Sequence, residues 1–248
     1  MINRYEVKTE EEWHILRQQC ITASEAAVLI GQNPYSSPGK LKQASEFKGN
    51  AYTLIGQVME PLVVDVTNRV LNTSFKLYEV VNSGKVFYTK GKLGATPDAV
   101  SDCGRFLLEC KSTKPDTFLK YVEVPPATYL VQVHVQMHCT GIEEAYLAIL
   151  STDLSQKSAE ICWPIAIYKV KKSNKLCELM EQEAARFYAS DSFRVNSNVK
   201  RQASTLLHMS YEQIYKPKIV EQQANGEKKK QELRDLLKQT SNANIKEK

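Results

Sequence analysis

The chain has 248 residues, of which 42% are apolar and 25% charged, an ordinary composition for a globular protein. No apolar run approaches the roughly 20 residues that cross a bilayer. The N-terminal residues lack the apolar core of a signal peptide, and the six cysteines include no Cys-x-x-Cys pair. These features argue against a membrane span, a secretory leader and a zinc or iron–sulfur site. We therefore predict a soluble, intracellular protein with no membrane partner.

The net charge of +5 is concentrated towards the C-terminus. Residues 216–248 contain nine Lys and Arg against five Asp and Glu, whereas residues 1–215 contain 24 against 23. A nucleic acid would therefore meet a local basic patch on residues 1–215, because the overall field there is weak. We predict a single domain over 1–215 and a basic tail over 216–248, helical near 222–238 and disordered at its end.

Two short helices are predicted near the N-terminus. Residues 10–18 carry acids in the first turn, and residues 21–31 place Thr22 or Ser24 as the N-cap of a short helix that ends at a glycine. Hydroxyls and free N–H groups at a helix start can bind an anion, and Arg17 could close such a site around a phosphate. An ordinary N-cap beside a surface arginine is the alternative.

A loop-rich segment over 32–52 contains a predicted helix near 40–48, and an apolar helical pattern follows over 53–71. Pro61 removes a hydrogen-bond donor, so we expect this second helix to bend or to start afresh there. Glu60 precedes the proline among apolar neighbours. It is either a cap for the second segment or a site residue.

Strands are predicted near 75–81 and 85–89, and they lead into a hairpin over 94–112. Side chains alternate between the two faces of a strand, so Glu109 and Lys111 share one face of an otherwise apolar strand. Burying such charges is costly unless they pair or hold a metal.

Asp98 ends the first strand of this hairpin and could place a second carboxylate beside Glu109. Two carboxylates and a main-chain carbonyl are the oxygen ligands that Mg²⁺ or Mn²⁺ prefers. Lys111 could then stabilise a phosphorane-like charge or help to deprotonate a water. A salt-bridged structural hairpin is the alternative.

A proline-rich crossover loop is predicted over 113–125, and a helix over 127–141. On that helix Gln132 and Gln136 share a face. The paired amides could orient a water or a phosphate, or they could be core residues bonded to the main chain. Beyond this helix the sequence predicts strands over 144–151 and 159–168 and an amphipathic helix over 175–190, after which the periodicity is lost.

The order of these pieces resembles the lambda exonuclease and YqaJ-like viral recombinase family of PD-(D/E)xK nucleases. The resemblance covers roughly residues 10–190. It is carried by six motifs in the same order: WHILR at 13–17, ITASE at 21–25, GQNPYSSP at 31–38, GQVMEP at 56–61, the pair Pro97-Asp98 and Glu109-Cys110-Lys111, and the helix with Gln132.

The resemblance implies an α/β (α+β) fold with a central mixed β-sheet flanked by helices, the restriction-endonuclease-like PD-(D/E)xK core. It implies Mg²⁺ as cofactor, with Mn²⁺ able to substitute. The implied metal ligands are Asp98, Glu109, the Cys110 carbonyl and, near a second ion, Glu60. Lys111 would act on the attacking water and Gln132 would help to position it, although the choice between Gln132 and Gln136 stays open.

The resemblance also implies a substrate. Arg17, Ser24 and Thr22 would bind the 5′ phosphate of a double-stranded DNA end, and one strand would be degraded in the 5′-to-3′ direction. Family members form ring-shaped trimers and supply single-stranded DNA to an annealing protein, in the host cytoplasm or nucleoid if phage-encoded. The alternatives are a structure- or sequence-selective endonuclease of the same fold and a non-catalytic DNA-end-binding scaffold, which would have lost an acid or the lysine.

Overall fold

The computed structural model describes residues 1–41, 51–80, 84–152 and 164–217. Its helices are α1 Glu10–Gln18, α2 Ala26–Leu29, α3 Pro38–Leu41, α4 Ala51–Leu71, α5 Pro115–Glu123, α6 Ala127–Thr140, α7 Asn174–Tyr188 and α8 Ser197–His208. Its strands are β1 Ile2–Val7, β2 Ile21–Thr22, β3 Phe75–Leu77, β4 Glu79–Val80, β5 Gly84–Lys90, β6 Leu93–Ala95, β7 Ala99–Ser101, β8 Phe106–Thr113, β9 Glu144–Ser151, β10 Ile165–Lys171 and β11 Tyr211–Tyr215. No helix within these ranges is both long and apolar enough to span a membrane.

The strands form two sheets. The first has the order β1-β5-β6-β2 with β4 also paired to β5, and the second has the order β11-β10-β9-β8-β7-β3. In the second sheet β8 and β9 run parallel, whereas the other neighbouring strands are antiparallel. Helix α4 packs on one face of this sheet, and α5 and α6 pack on the other. The predicted mixed sheet flanked by helices is confirmed.

Strand β8 separates two apolar cores by the alternation of its side chains. Leu107 lies in the core that includes α6, whereas Leu108 and Cys110 lie in the core that includes α4. Glu109 follows the same alternation, and its side chain is bonded to Gln136 of α6. The predicted orientation of Glu109 towards the Leu107 face is therefore confirmed.

The first strand of the predicted hairpin is divided between the two sheets. Strand β6 pairs with β5 and β2, whereas β7 pairs with β8 and β3. Residues 96–98 cross from one sheet to the other. Pro97 has no N–H and cannot continue a ladder of hydrogen bonds, so a break at this residue is physically reasonable. The crossing places Asp98 directly before β7 and beside β8.

The prediction of a crossover loop over 113–125 is wrong, because α5 occupies most of these residues. Pro115 stands in the first turn of α5, where its missing N–H costs nothing and its fixed φ favours the helix. Phe118 and Val122, four residues apart, are buried on one face. The prolines at both ends obscure this pattern in the sequence.

The expected loss of regular structure after residue 190 is also wrong. Helix α8 is capped by Asn196, whose side chain accepts a hydrogen bond from the Asn198 N–H. Ala203 and Leu207 of α8 are buried, and β11 then extends the second sheet next to β10.

Two predictions about helix starts are also corrected. Helix α2 begins at Ala26, and Thr22 lies in β2 instead of capping a helix. The N–H and the hydroxyl of Thr22 both donate to the Glu25 carboxylate, and Glu25 stands at the N-cap of α2 without a side-chain cap bond. The predicted N-cap role of Thr22 or Ser24 is therefore wrong. Helix α4 continues through Pro61 without a second start, so Glu60 is not a helix cap.

Some predictions lie outside the described residues. They are most of the helix expected near 40–48, the first residues of the strand expected over 159–168, and the tail beyond residue 217, with its expected helix over 222–238.

Gly94 is required by close packing in β6. A Cβ atom at this position would lie 2.3 Å from Cys20 Sγ and 2.6 Å from Phe87 Cζ. We expect Gly94→Ala to lower the free energy of unfolding by about 1–3 kcal/mol, the usual cost of overpacking. Gly56→Ala is the control, because a Cβ there meets nothing within 4 Å and alanine favours a helix. Chemical denaturation of both variants measures the difference, and equal stability would contradict the packing argument.

Candidate functional site

An open cleft of about 460 Å³ lies beside the segment that crosses between the two sheets. Most of the residues singled out in the sequence line it: Arg17, Thr22, Ser24, Glu60, Asp98, Cys110, Lys111 and Gln132. Glu109 and Gln136 are fully buried directly behind its wall. Residues from α1, α4, β8 and α6 thus converge on one place.

Specific hydrogen bonds orient the two carboxylates. Asp98 Oδ2 accepts a hydrogen bond from the Cys110 N–H at 2.8 Å. Glu109 Oε2 accepts a hydrogen bond from Gln136 Nε2 at 2.5 Å, and Glu109 Oε1 forms an ion pair with Lys111 Nζ. The Lys111 side chain is 22% exposed and the Glu109 side chain is fully buried, so the ammonium group lies on the cleft side of the pair.

The cluster holds more negative charge than one ammonium group can balance. Burial raises the pKa of Asp98 well above its ordinary value, and the charges of Glu109 and Glu60 raise it further. Burial alone would lower the pKa of Lys111, but Glu109 and Asp98 outweigh it and the pKa is raised. Lys111 is therefore a cation in the metal-free protein, and the carboxylates are short of positive charge.

The oxygen donors that could hold a divalent cation here are the carboxylates of Asp98 and Glu109 and the Cys110 carbonyl. The N–H and the carbonyl of a strand residue point to the same edge, so the Cys110 carbonyl faces the edge at which its N–H meets Asp98. Strand β7 pairs with β8 at Leu107 and Leu108. It does not extend along the edge of β8 as far as Cys110. Within the described ranges no group of three or more His, Cys, Asp or Glu could hold a metal ion. A Mg²⁺ ion held by these groups would accordingly keep several water or substrate oxygens, as it usually does.

Arg17 and Ser24 form the other half of the cleft. The Arg17 guanidinium lies over the Trp13 ring, 4.3 Å from its centroid. Burial lowers the pKa of Arg17, and the charge of Glu25 opposes that shift. Ser24 Oγ lies 3.2 Å from Thr22 Oγ1. Because the Thr22 hydroxyl proton is donated to Glu25, the donor between the two hydroxyls is Ser24.

The two glutamines of α6 are in different environments. Gln132 lines the cleft and is only partly buried. Gln136 is fully buried, and its Nε2 donates to Glu109 and, at 3.3 Å, to the Thr96 carbonyl. Gln136 is thus placed to orient Glu109, and Gln132 is the glutamine that can reach a group bound in the cleft.

Sequence reasoning did not single out Thr96 and Tyr78, which also line the cleft. Thr96 Oγ1 accepts a hydrogen bond from Trp13 Nε1 at 3.3 Å. The Tyr78 hydroxyl is bonded to that of Tyr88, and its N–H donates to the Asp98 carbonyl at 2.8 Å. The break that Pro97 introduces into the predicted strand is the signal that could have directed attention to Thr96.

Comparison with solved structures identifies proteins of similar fold. An alkaline exonuclease, LHK-Exo, from Laribacter hongkongensis is 19% identical with a TM-score of 0.55, over 80% of this chain and 97% of that chain. The same exonuclease in complex with dAMP matches at 18% identity and the same TM-score of 0.55. A phage-related exonuclease from Haemophilus somnus 129PT is 13% identical with a TM-score of 0.52, over 79% of this chain and 99% of that chain.

No protein of curated function matches the sequence. Residues 12–143, more than half of the 248, match the model of the YqaJ-like viral recombinase domain. These residues contain the cleft and both of its halves. The chain therefore belongs to the family of the YqaJ-like viral recombinase domain.

Proposed function

We propose that this protein is a Mg²⁺-dependent exonuclease that degrades one strand of duplex DNA from its 5′ end. The observation that carries the proposal is one cleft lined by Asp98, Lys111, Arg17 and Ser24, with the Glu109 carboxylate buried behind its wall and paired with Lys111. A hydrolytic cluster beside an anion-binding arginine suits a nuclease that recognises a phosphorylated end. The family of the chain and the exonucleases of similar fold support the same class of activity.

The carboxylates of Asp98 and Glu109 and the Cys110 carbonyl would hold the metal, with Glu60 near a second ion. Bound Mg²⁺, or Mn²⁺ in its place, would polarise the scissile phosphate and lower the pKa of a water. Gln132 would orient that water from the cleft wall.

Lys111 has a separate role in this proposal. Its Nζ is paired with Glu109 on the cleft side, so as an ammonium group it would stabilise the negative charge that develops on the phosphate oxygens.

Arg17 would bind the terminal 5′ phosphate and thereby set which phosphodiester bond is cut. We expect Arg17→Ala to lower kcat/KM on 5′-phosphorylated ends by about 10- to 100-fold, since a charged hydrogen bond is worth about 1.5–3 kcal/mol. Activity on 5′-hydroxyl ends should change much less. Arg69→Ala is the matched control, because Arg69 is exposed and paired with Asp65. An equal loss on both kinds of end would argue against a phosphate pocket.

Digestion of duplex DNA labelled at either end tests the reaction itself. The expected result with Mg²⁺ is early release of the 5′ label as a mononucleotide, late release of the 3′ label, and no cleavage of covalently closed circles. Cleavage of closed circles would favour the endonuclease alternative. Binding of ends without any cleavage would favour the scaffold.

The assembly and the partner are also proposed. We propose a ring-shaped homotrimer around the DNA, with the single-stranded product passed to an annealing protein, as the family resemblance implies. The mass of the particle in solution, measured by light scattering with and without DNA, tests the assembly. A stable monomer under both conditions would contradict it.

A further inference from the structure

We infer that Thr96 is a positioning residue. It connects the half of the cleft that holds Asp98 and Glu109 to the half that holds Arg17, and so keeps the two halves at a set distance. This inference rests on the proposed function. It goes further in assigning how recognition of the DNA end is coupled to the position of the cut.

Thr96 takes part in two hydrogen bonds that lead in different directions. Its carbonyl accepts from Gln136 Nε2 at 3.3 Å, and the same nitrogen is 2.5 Å from Glu109 Oε2. Its hydroxyl oxygen accepts from Trp13 Nε1 at 3.3 Å, and the Trp13 ring lies under the Arg17 guanidinium. A continuous series of contacts therefore joins Glu109 to Arg17 through Thr96.

The attachment of α1 makes this connection important. Helix α1 packs through Trp13 and Leu16 on a small apolar cluster of Val7, Cys20 and Phe87, which is separate from the two larger cores. Val7 and Phe87 of that cluster lie in β1 and β5 of the first sheet, whereas Glu109 lies in β8 of the second. The hydrogen bond between Trp13 and Thr96 links α1 to the crossing segment that carries Asp98.

The consequence concerns the length of the product. If Arg17 holds the terminal phosphate, its distance from the carboxylates determines which bond is cleaved. A displacement of about 1 Å can cost a hundredfold in rate, so a loosely held α1 would admit cuts at neighbouring bonds. Loss of the Thr96 hydroxyl should therefore affect end preference and product length more than overall stability.

Thr96→Val removes the hydroxyl and keeps the shape of the side chain. The hydrogen bond from Gln136 to the main-chain carbonyl remains, so the metal cluster should be undisturbed. Thr96→Ser restores an acceptor for Trp13 Nε1 and serves as the rescue. Thr67→Val is the matched control, because Thr67 is fully buried in α4 and its hydroxyl has no hydrogen-bond partner within the described part of the chain.

The experiment compares these variants with the wild-type protein on 5′-phosphorylated and 5′-hydroxyl duplexes. We expect Thr96→Val to reduce the preference for the phosphorylated end by about three- to tenfold and to yield products longer than one nucleotide. Fluorescence anisotropy in EDTA should show the same loss of preference in DNA binding. Mn²⁺ affinity without DNA should equal that of the wild type, and Thr96→Ser and Thr67→Val should behave like the wild type.

Wild-type preference and product length in Thr96→Val would overturn the inference and leave the proposed function intact. The same conclusion follows if Thr67→Val shows an equal loss. A wild-type protein that does not degrade DNA ends, or does so without regard to the 5′ phosphate, would overturn the proposed function in whole or in its end recognition, and the inference with it.

Discussion

Lys111→Ala is expected to lower the rate of DNA hydrolysis by roughly a thousandfold, the effect of removing one preorganised donor of transition-state stabilisation. The lysine is the cation of the cluster, and its partner Glu109 is fully buried. Removing the ammonium group leaves the carboxylates in place, so metal affinity should be retained or increased. DNA binding should also be retained, because Arg17 is unchanged.

The same substitution should destabilise the metal-free protein. Loss of one partner from a buried ion pair leaves the other charge uncompensated, at a cost of about 3–5 kcal/mol. Addition of Mg²⁺ should restore most of this stability by supplying positive charge. Single-turnover cleavage, Mn²⁺ titration and thermal denaturation with and without EDTA measure the three effects.

Lys169→Ala is the control for Lys111. Lys169 lies on β10 in a partly exposed ion pair with Glu144, with its Nζ 3.2 Å from the carboxylate oxygen. Its removal should cost little stability and no activity. Cleavage at a near-normal rate by Lys111→Ala would refute the role assigned to this lysine.

Asp98→Asn is expected to abolish metal binding and hydrolysis and yet to stabilise the metal-free protein at pH values above the ordinary carboxyl pKa. The folded protein raises the pKa of Asp98 above its ordinary value of 3.8. The stability associated with this group is therefore complete below the unfolded pKa and is lost as the pH rises through the folded pKa. Asparagine carries no charge, but its Oδ1 can still accept the hydrogen bond from the Cys110 N–H.

Melting temperatures in EDTA across a pH series test this sign. The wild-type melting temperature should fall as the pH is raised, and Asp98→Asn should remove much of that fall. One kcal/mol corresponds to about 2–4 °C for a chain of this length. With Mg²⁺ the order should reverse, because the metal requires the ionised carboxylate and its affinity rises with pH.

Asp102→Asn provides the contrasting case. Asp102 is exposed, and its pKa is lowered by a hydrogen bond with Lys76, so its contribution to stability is lost as the pH falls. This variant should bind Mn²⁺ normally. If the melting temperature of Asp98→Asn in EDTA depended on pH as that of the wild type does, Asp98 would not be the group that destabilises the metal-free protein at higher pH.

Much of the fold can be read from short-range patterns. The alternation that places Glu109 on one face of β8 depends on the two-residue period of a strand. The helix α6 can be predicted from the length of its segment, and its end from Gly141, which adopts the left-handed conformation after the last turn. Such features depend on neighbouring residues and are visible without the fold. Helix α5 is an exception, because prolines at both ends of its pattern suggest a loop.

The candidate site can be predicted only in part from such short-range patterns. The sequence alone identifies the acids, the lysine, the arginine and the two glutamines as chemically suited to metal and phosphate. It does not show that Arg17 and Lys111 line one cleft, or that Thr96 connects Glu109 with Trp13. Residue types and local periods are properties of short segments, whereas these contacts join residues up to about 90 positions apart and arise when two sheets pack around α6.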